Sequence, residues 1–338
     1  MRQSRFFRRH AYAVLFTLAL ALLTAFVLLD TYVLPTAISA ARTTASAQTQ
    51  TATTATLPAE ATQPAPDTVS SASSVQQSTP EDTEAAEAAS AEPVVTENSY
   101  SGNGVEIEIS TVRVEDTTAY VASVRLANAQ SLKTALAQGT FGTNIKQTTS
   151  DMASETGAIL AVNGDFYGAN KRGYVIKNGV LYRDTVRQSE YTEDLVVYSD
   201  GSFAVIDETE VSAQELLDSG VVQLFAFGPV LIENGEIAVS AGEEIDRAQG
   251  SNPRTAIGII DTQHYIIVVA DGRTEESAGL SLLALAELMQ SYGCTTAYNL
   301  DGGGSSTMVF NGEVVNQPTT SGTKIAERSV SDIVYISA

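Results

Sequence analysis

The 338 residues carry 40 acidic and 19 basic side chains, a formal net charge of −21, with two histidines and one cysteine. A balance this acidic excludes a phosphate-tracking nucleic-acid groove, which needs a field of Lys and Arg, but leaves room for a local basic pocket that takes a small anion. Cys294 alone excludes an intrachain disulfide framework and a thiolate zinc cluster, and a Ser-His-Asp triad would have to use His264, inside an apolar strand-like run.

At the N-terminus Arg2, Arg5, Arg8 and Arg9 precede an apolar stretch over 11–29, with Tyr32 near its far end. This pattern predicts a basic cytoplasmic tail over 1–10, a transmembrane signal anchor over 11–32 and an exported remainder, hence a single-pass cell-membrane protein. The competing reading is a cleaved signal peptide with Ala45-Ser46-Ala47 as its small-x-small site, although that site lies well beyond the apolar core. Residues 33–98 are mostly Ala, Thr, Ser, Gln and Pro with few large apolar side chains, which predicts a disordered linker.

Order is expected to begin near Val105. Residues 105–109 and 120–126 alternate apolar and polar, as half-buried strands do. Further strands are expected over 158–162, 195–198, 202–206, 224–227, 255–260, 264–269, 307–310 and 333–336. Asn178-Gly179, Asn234-Gly235 and Asn311-Gly312 each separate extended segments, as tight hairpin turns do. Ser212 and Glu215 form a capping box for a short helix that stops at Gly220, and 281–292 carries a helical apolar stripe ending at Gly293. The sum is an α+β, strand-rich mixed domain with a few packed helices over 99–338.

Three strings concentrate polar groups at the ends of such strands. Tyr298-Asn299-Leu300-Asp301-Gly302-Gly303-Gly304-Ser305-Ser306-Thr307 joins three glycines to carboxylate, amide and hydroxyl groups; its amides suit an anion-binding nest, yet it has no P-loop lysine. Asn163-Gly164-Asp165-Phe166-Tyr167 ends an apolar strand, and reads equally as a turn with its aromatics in the core or as a cleft mouth. Asn252-Pro253-Arg254-Thr255-Ala256-Ile257-Gly258 puts Arg254 at a strand start, where its guanidinium suits a phosphate or carboxylate oxygen or a surface ion pair. Asp271-Gly272-Arg273 is either a turn or a site edge, and Arg328 is equally ambiguous. Asp165, Asp271 and Asp301 offer oxygen ligands for Ca²⁺ or Mg²⁺, but no twelve-residue calcium loop is present.

Taken in order, these strings resemble the phosphodiester glycosidase family over residues 140–338. The resemblance implies a hydrolase that cleaves the bond between a sugar C1 and the oxygen of a phosphodiester, with an N-acetylglucosamine-like sugar on a surface or extracellular glycopolymer and no required cofactor. It implies Asp301, Asp165 and Arg254 as catalytic groups and Asn163, Asp271, Asn299, Gly302, Gly303, Gly304, Ser305, Ser306 and Thr307 as substrate-binding groups. Asp165 and Tyr167 depart from the family pattern, which often has Gly and Phe there. A non-catalytic phosphoglycan-binding surface protein and a phosphodiesterase that splits P–O are the alternatives.

Overall fold

Residues 2–38, 92–189, 191–242 and 250–338 are described by the computed structural model. Its centre is an antiparallel nine-stranded sheet in the order Glu236–Ile237, Val230–Glu233, Thr296–Asn299, Arg254–Asp261, His264–Ala270, Thr117–Leu126, Val105–Val114, Ser99–Gly102, Val94–Val95. Alternate side chains of its middle strands serve two separate cores, as a period of two requires. Ala256, Ile266, Val268 and Ala297 point toward the helix Leu282–Ser291 and pack with Leu285 and Met289. Ile257, Ile267, Val269 and Tyr298 point the other way and meet Leu160, Val162, Met308 and Val334.

Those last residues belong to an antiparallel five-stranded sheet in the order Glu313–Val314, Met308–Phe310, Leu160–Asn163, Asp332–Ile336, Leu132–Leu136. The domain is thus a sheet-on-sheet sandwich with a helix on the outer face, in line with the expected α+β class. A smaller sheet, Phe203–Asp207, Glu193–Tyr198, Val221–Phe225, flanks it and carries the helix Ala213–Asp218 with its Ser212–Glu215 capping box.

The expected membrane anchor is corrected. Arg2–Tyr32 is one α-helix, but among the described residues no helix is long and apolar enough to cross a membrane. The single-pass topology, the membrane as a partner and the cell-membrane location fall with it. Within the expected linker, 39–91 lie outside the described residues, while Thr36–Ala37 pairs with Gly142–Thr143. Order also starts earlier than Val105. Val94–Val95 pairs with Ser99–Gly102 around a turn in which Thr96 Oγ1 lies 2.7 Å from Ser99 Oγ, a hydroxyl contact that hydrophobic alternation does not register.

Candidate active site

Four segment ends converge where the two sheets meet: the C-terminal end of Leu160–Asn163, the start of Arg254–Asp261, and the loop that leaves Thr296–Asn299 and re-enters at Met308–Phe310. Asn163 ties them together. Its Oδ1 accepts from Thr255 Oγ1 at 2.8 Å and from the Thr307 N–H at 3.2 Å, and its Nδ2 donates to the Asp301 carbonyl at 2.6 Å. A fully buried amide with both ends engaged fixes the loop and offers little to a ligand.

The glycines of this loop are set by crowding. Gly303 lies at φ +64°, and a Cβ there would stand 2.8 Å from Arg273 Nη2; a Cβ on Gly302 would stand 2.9 Å from the Pro253 carbonyl, and one on Gly304 would press on Thr320 Oγ1. Their amides form less of a nest than the sequence suggests. Gly303 N–H donates to the Pro253 carbonyl at 2.8 Å, Ser305 and Ser306 N–H close a 3₁₀ turn, and the Gly302 N–H serves the Asp301 carboxylate.

A cleft of about 200 Å³ opens on this loop. It presents the carboxylate of Asp301, the guanidiniums of Arg254, Arg273 and Arg328, the rings of Phe166 and Phe227, and Asn252 beside Gly302 and Gly303. Asp301 is 7% exposed; Arg328 Nη2 lies 3.5 Å from its Oδ2. Burial pushes this carboxyl above its ordinary value, while Arg328, the Ser305 hydroxyl and the Gly302 amide draw it back. Arg328 is itself aimed by Ser305 Oγ, which accepts from its Nη2 at 2.7 Å, and by the Gly302 carbonyl at 3.0 Å. Arg254 is buried, with Nε on the Leu280 carbonyl at 3.0 Å and Nη2 on the Gly250 carbonyl at 2.6 Å. It meets no described carboxylate, and burial, with Arg273 second, pulls it down to about 10. Arg273 is held by Asn252 Oδ1 at 3.0 Å and the Thr320 carbonyl at 2.6 Å. Among the described residues, one carboxylate and three guanidiniums make this a cationic pocket in an acidic protein, with the charge and donors that suit an anion.

A model of the phosphodiester glycosidase family matches residues 156–337. The chain belongs to the phosphodiester glycosidase family. It is 32% identical over 201 residues to the SPbeta prophage-derived protein YomE of Bacillus subtilis, covering 58% of this chain and 30% of that protein. It is 31% identical over 193 residues to N-acetylglucosamine-1-phosphodiester alpha-N-acetylglucosaminidase of Mus musculus, covering 52% and 36%. The chain therefore spans about a third of the length of these curated relatives. In fold it is similar to the zebrafish N-acetylglucosamine-1-phosphodiester alpha-N-acetylglucosaminidase catalytic domain auto-inhibited by pro-peptide, with a TM-score of 0.55 at 22% identity over 69% of this chain and 82% of that one. A Synechocystis protein shares the fold with a TM-score of 0.50 at 15% identity over 69% and 62%.

In this member of the family the residues marked in sequence divide into three groups. Asp301, Arg254, Gly302 and Gly303 face the cleft. Ser305 aims Arg328, and Asn299 donates to the Gly228 carbonyl at 2.8 Å behind Phe227, with Ser306 and Thr307 buried in the same loop. Asp165 and Asp271 are elsewhere. Asp165 is buried under the cleft on Lys177, and Asp271 accepts from Asn316 Nδ2 at 3.1 Å and the Gln317 N–H at 2.9 Å, anchoring that loop. Each of the three expected cation ligands is thus engaged by the protein, and among the described residues no group of three such side chains converges as a metal cage.

Arg273, Arg328, Asn252, Phe166 and Phe227 complete the cleft, none of them an expected site residue; the strings around Phe166, Asn252, Arg273 and Arg328 carry a signal in sequence, and Phe227 carries none. His264 lies at the far end of its strand, paired with Arg125, whereas the cleft adjoins the Ala270 end. Ser123 Oγ is 3.0 Å from its Nε2, but Asp261 is 4.0 Å from its Nδ1, so no relay is formed. A larger groove of about 830 Å³ presents Glu97, Glu108 and Glu313 and no Lys or Arg, so it offers nothing to a phosphate.

Proposed function

We propose that this phosphodiester glycosidase hydrolyses the C1–O bond of a sugar 1-phosphodiester, with an N-acetylglucosamine-like sugar carried on a glycopolymer. The observation that carries the reading is the pairing, among the described residues, of one cleft carboxylate, Asp301, with three guanidiniums. A phosphodiester enters with one negative charge, and breaking C1–O leaves a phosphomonoester with more charge on its oxygens. Fixed cations stabilise that growth best in a site shielded from water. Phosphate leaves without a proton, so the reaction does not need the general acid that most glycosidases supply as a second carboxyl. Asp301 is placed to steady positive charge at C1 or to direct a water onto it, and the water oxygen then remains on the sugar. The names of the mammalian relatives support the choice of sugar.

The test compares an N-acetylglucosamine 1-phosphodiester with the matching alkyl glycoside, which lacks phosphate. Turnover of the first and not of the second is expected. Equal turnover of both would remove the guanidiniums from the reaction, and tight retention of the phosphodiester without turnover would favour a binding protein.

A further inference from the structure

Directly beneath the cleft lies a buried ion cluster that the reaction as described does not use. Lys177 is 2% exposed; its Nζ stands 3.1 Å from Asp165 Oδ2, 2.8 Å from Asp332 Oδ2 and 4.4 Å from the centre of the Phe225 ring. A buried ammonium between two carboxylates is a poor source of stability, because desolvation cancels most of its attraction. What the cluster holds gives it a purpose.

Each oxygen of Asp165 reaches a different wall of the cleft. Oδ1 accepts from the Tyr167 N–H at 3.0 Å, next to Phe166, and Oδ2 accepts from the Ala226 N–H at 3.3 Å, next to Phe227. Asp332 supports the third wall. Its carboxylate packs so closely on Gly164 that a Cβ there would stand 2.5 Å from Oδ1, and the Gly164 carbonyl accepts from the Asp301 N–H at 3.2 Å. The two aromatic rings and the catalytic carboxylate are therefore all referenced to one ammonium.

We infer that Asp165 and Lys177 are positioning residues that set the gap between Phe166 and Phe227, and that this gap receives the apolar face of the sugar ring. The inference rests on the sugar phosphodiester reading above. A carboxylate suits the task because it has two acceptor oxygens; the amide of asparagine would turn a donor either toward the Tyr167 N–H or toward Lys177 and the Ala226 N–H. Phe166 and Phe227 are half-buried, which leaves ring surface for a ligand.

The experiment measures KM and kcat on an N-acetylglucosamine 1-phosphodiester, calorimetric binding of N-acetylglucosamine 1-phosphate, and thermal melting. The variants are Asp165→Asn, Phe227→Leu, their double, and Ala226→Pro, which deletes one N–H and leaves the ion cluster whole. A role through the walls makes Asp165→Asn raise KM and weaken the probe about tenfold with kcat within about threefold, the mark of lost ground-state binding. Ala226→Pro should reproduce the effect, and Asp165→Asn should add little on top of Phe227→Leu, as expected of coupled residues. A kcat loss of a hundredfold or more at unchanged KM would make Asp165 a reacting group and overturn the inference. A lower melting temperature with unchanged KM and probe affinity would overturn it too, leaving a structural role alone. A wild type that binds the probe but turns over nothing defeats the functional reading, while the binding ratios still decide this one.

Discussion

At the residue scale the proposed chemistry rests on Asp301. Its carboxyl is raised by burial and lowered chiefly by Arg328. Either role proposed for it requires the ionised form, so the acid limb of kcat should lie above the ordinary carboxylate value of about 3.9. Arg328→Met removes the strongest lowering influence and should move that limb to still higher pH; a limb that stays or falls contradicts the assignment. Asp301→Asn should cost about 10²–10⁴-fold in kcat. Its folded-state value is raised, so the native carboxyl adds stability below the ordinary value and loses it as pH rises through the folded one. The melting temperature of Asp301→Asn at pH 7 should accordingly match or exceed that of wild type, which separates lost chemistry from lost fold.

At the scale of elements, two devices hold the cleft. The glycine loop is fitted against Arg273 and the segment at Thr320, and a methyl group at Gly304 has no room. Gly304→Ala should therefore destabilise the fold by about 1–3 kcal/mol in denaturant titration and lower kcat/KM. The second device is the Lys177 cluster. Lys177→Met leaves two buried carboxylates uncompensated and should cost about 3–5 kcal/mol. Burial, against the pull of Lys177 and with the Asp165 and Asp301 carboxylates adding to it, raises Asp332 to about 7. Its contribution to stability is present below the ordinary carboxylate value and lost as pH rises through about 7. The Lys177→Met penalty should thus be smaller at pH 5 than at pH 8; the reverse order would contradict the account.

Local signals made many elements legible in sequence. Asn178, Asn234 and Asn311 take positive φ in hairpin turns, Ser212 and Glu215 close their capping box, and Leu282–Ser291 lies on its apolar stripe. The cleft was half legible. Asp301, Arg254 and the glycines stand at strand ends, where short motifs show. Phe227 and the holding of Arg273 and Arg328 were not legible, because sheet packing and distant carbonyls bring them in. Asn163 and Asp271 are buried and brace the loop, a placement that sequence does not distinguish from ligand binding, because both put a short polar side chain at a strand end.

At the scale of the whole molecule the governing fact is charge. A chain of net charge −21 surrounds a pocket of three guanidiniums. The acidic surface repels an anionic substrate over distances that salt screens, whereas the buried Arg254 acts at contact and is screened far less. Moderate salt should therefore raise kcat/KM for the phosphodiester, the opposite of an enzyme that steers anions with an open basic face. A steady fall with added salt would place the productive arginines at the surface.

The central claim is that water attacks the sugar carbon and not phosphorus. It is tested most directly by letting residues 92–338 turn over an N-acetylglucosamine 1-phosphodiester in oxygen-18 water and weighing both products by mass spectrometry. The account predicts the label at C1 of the released sugar and an unlabelled phosphomonoester. Label in the phosphate would contradict it and make the enzyme a phosphodiesterase.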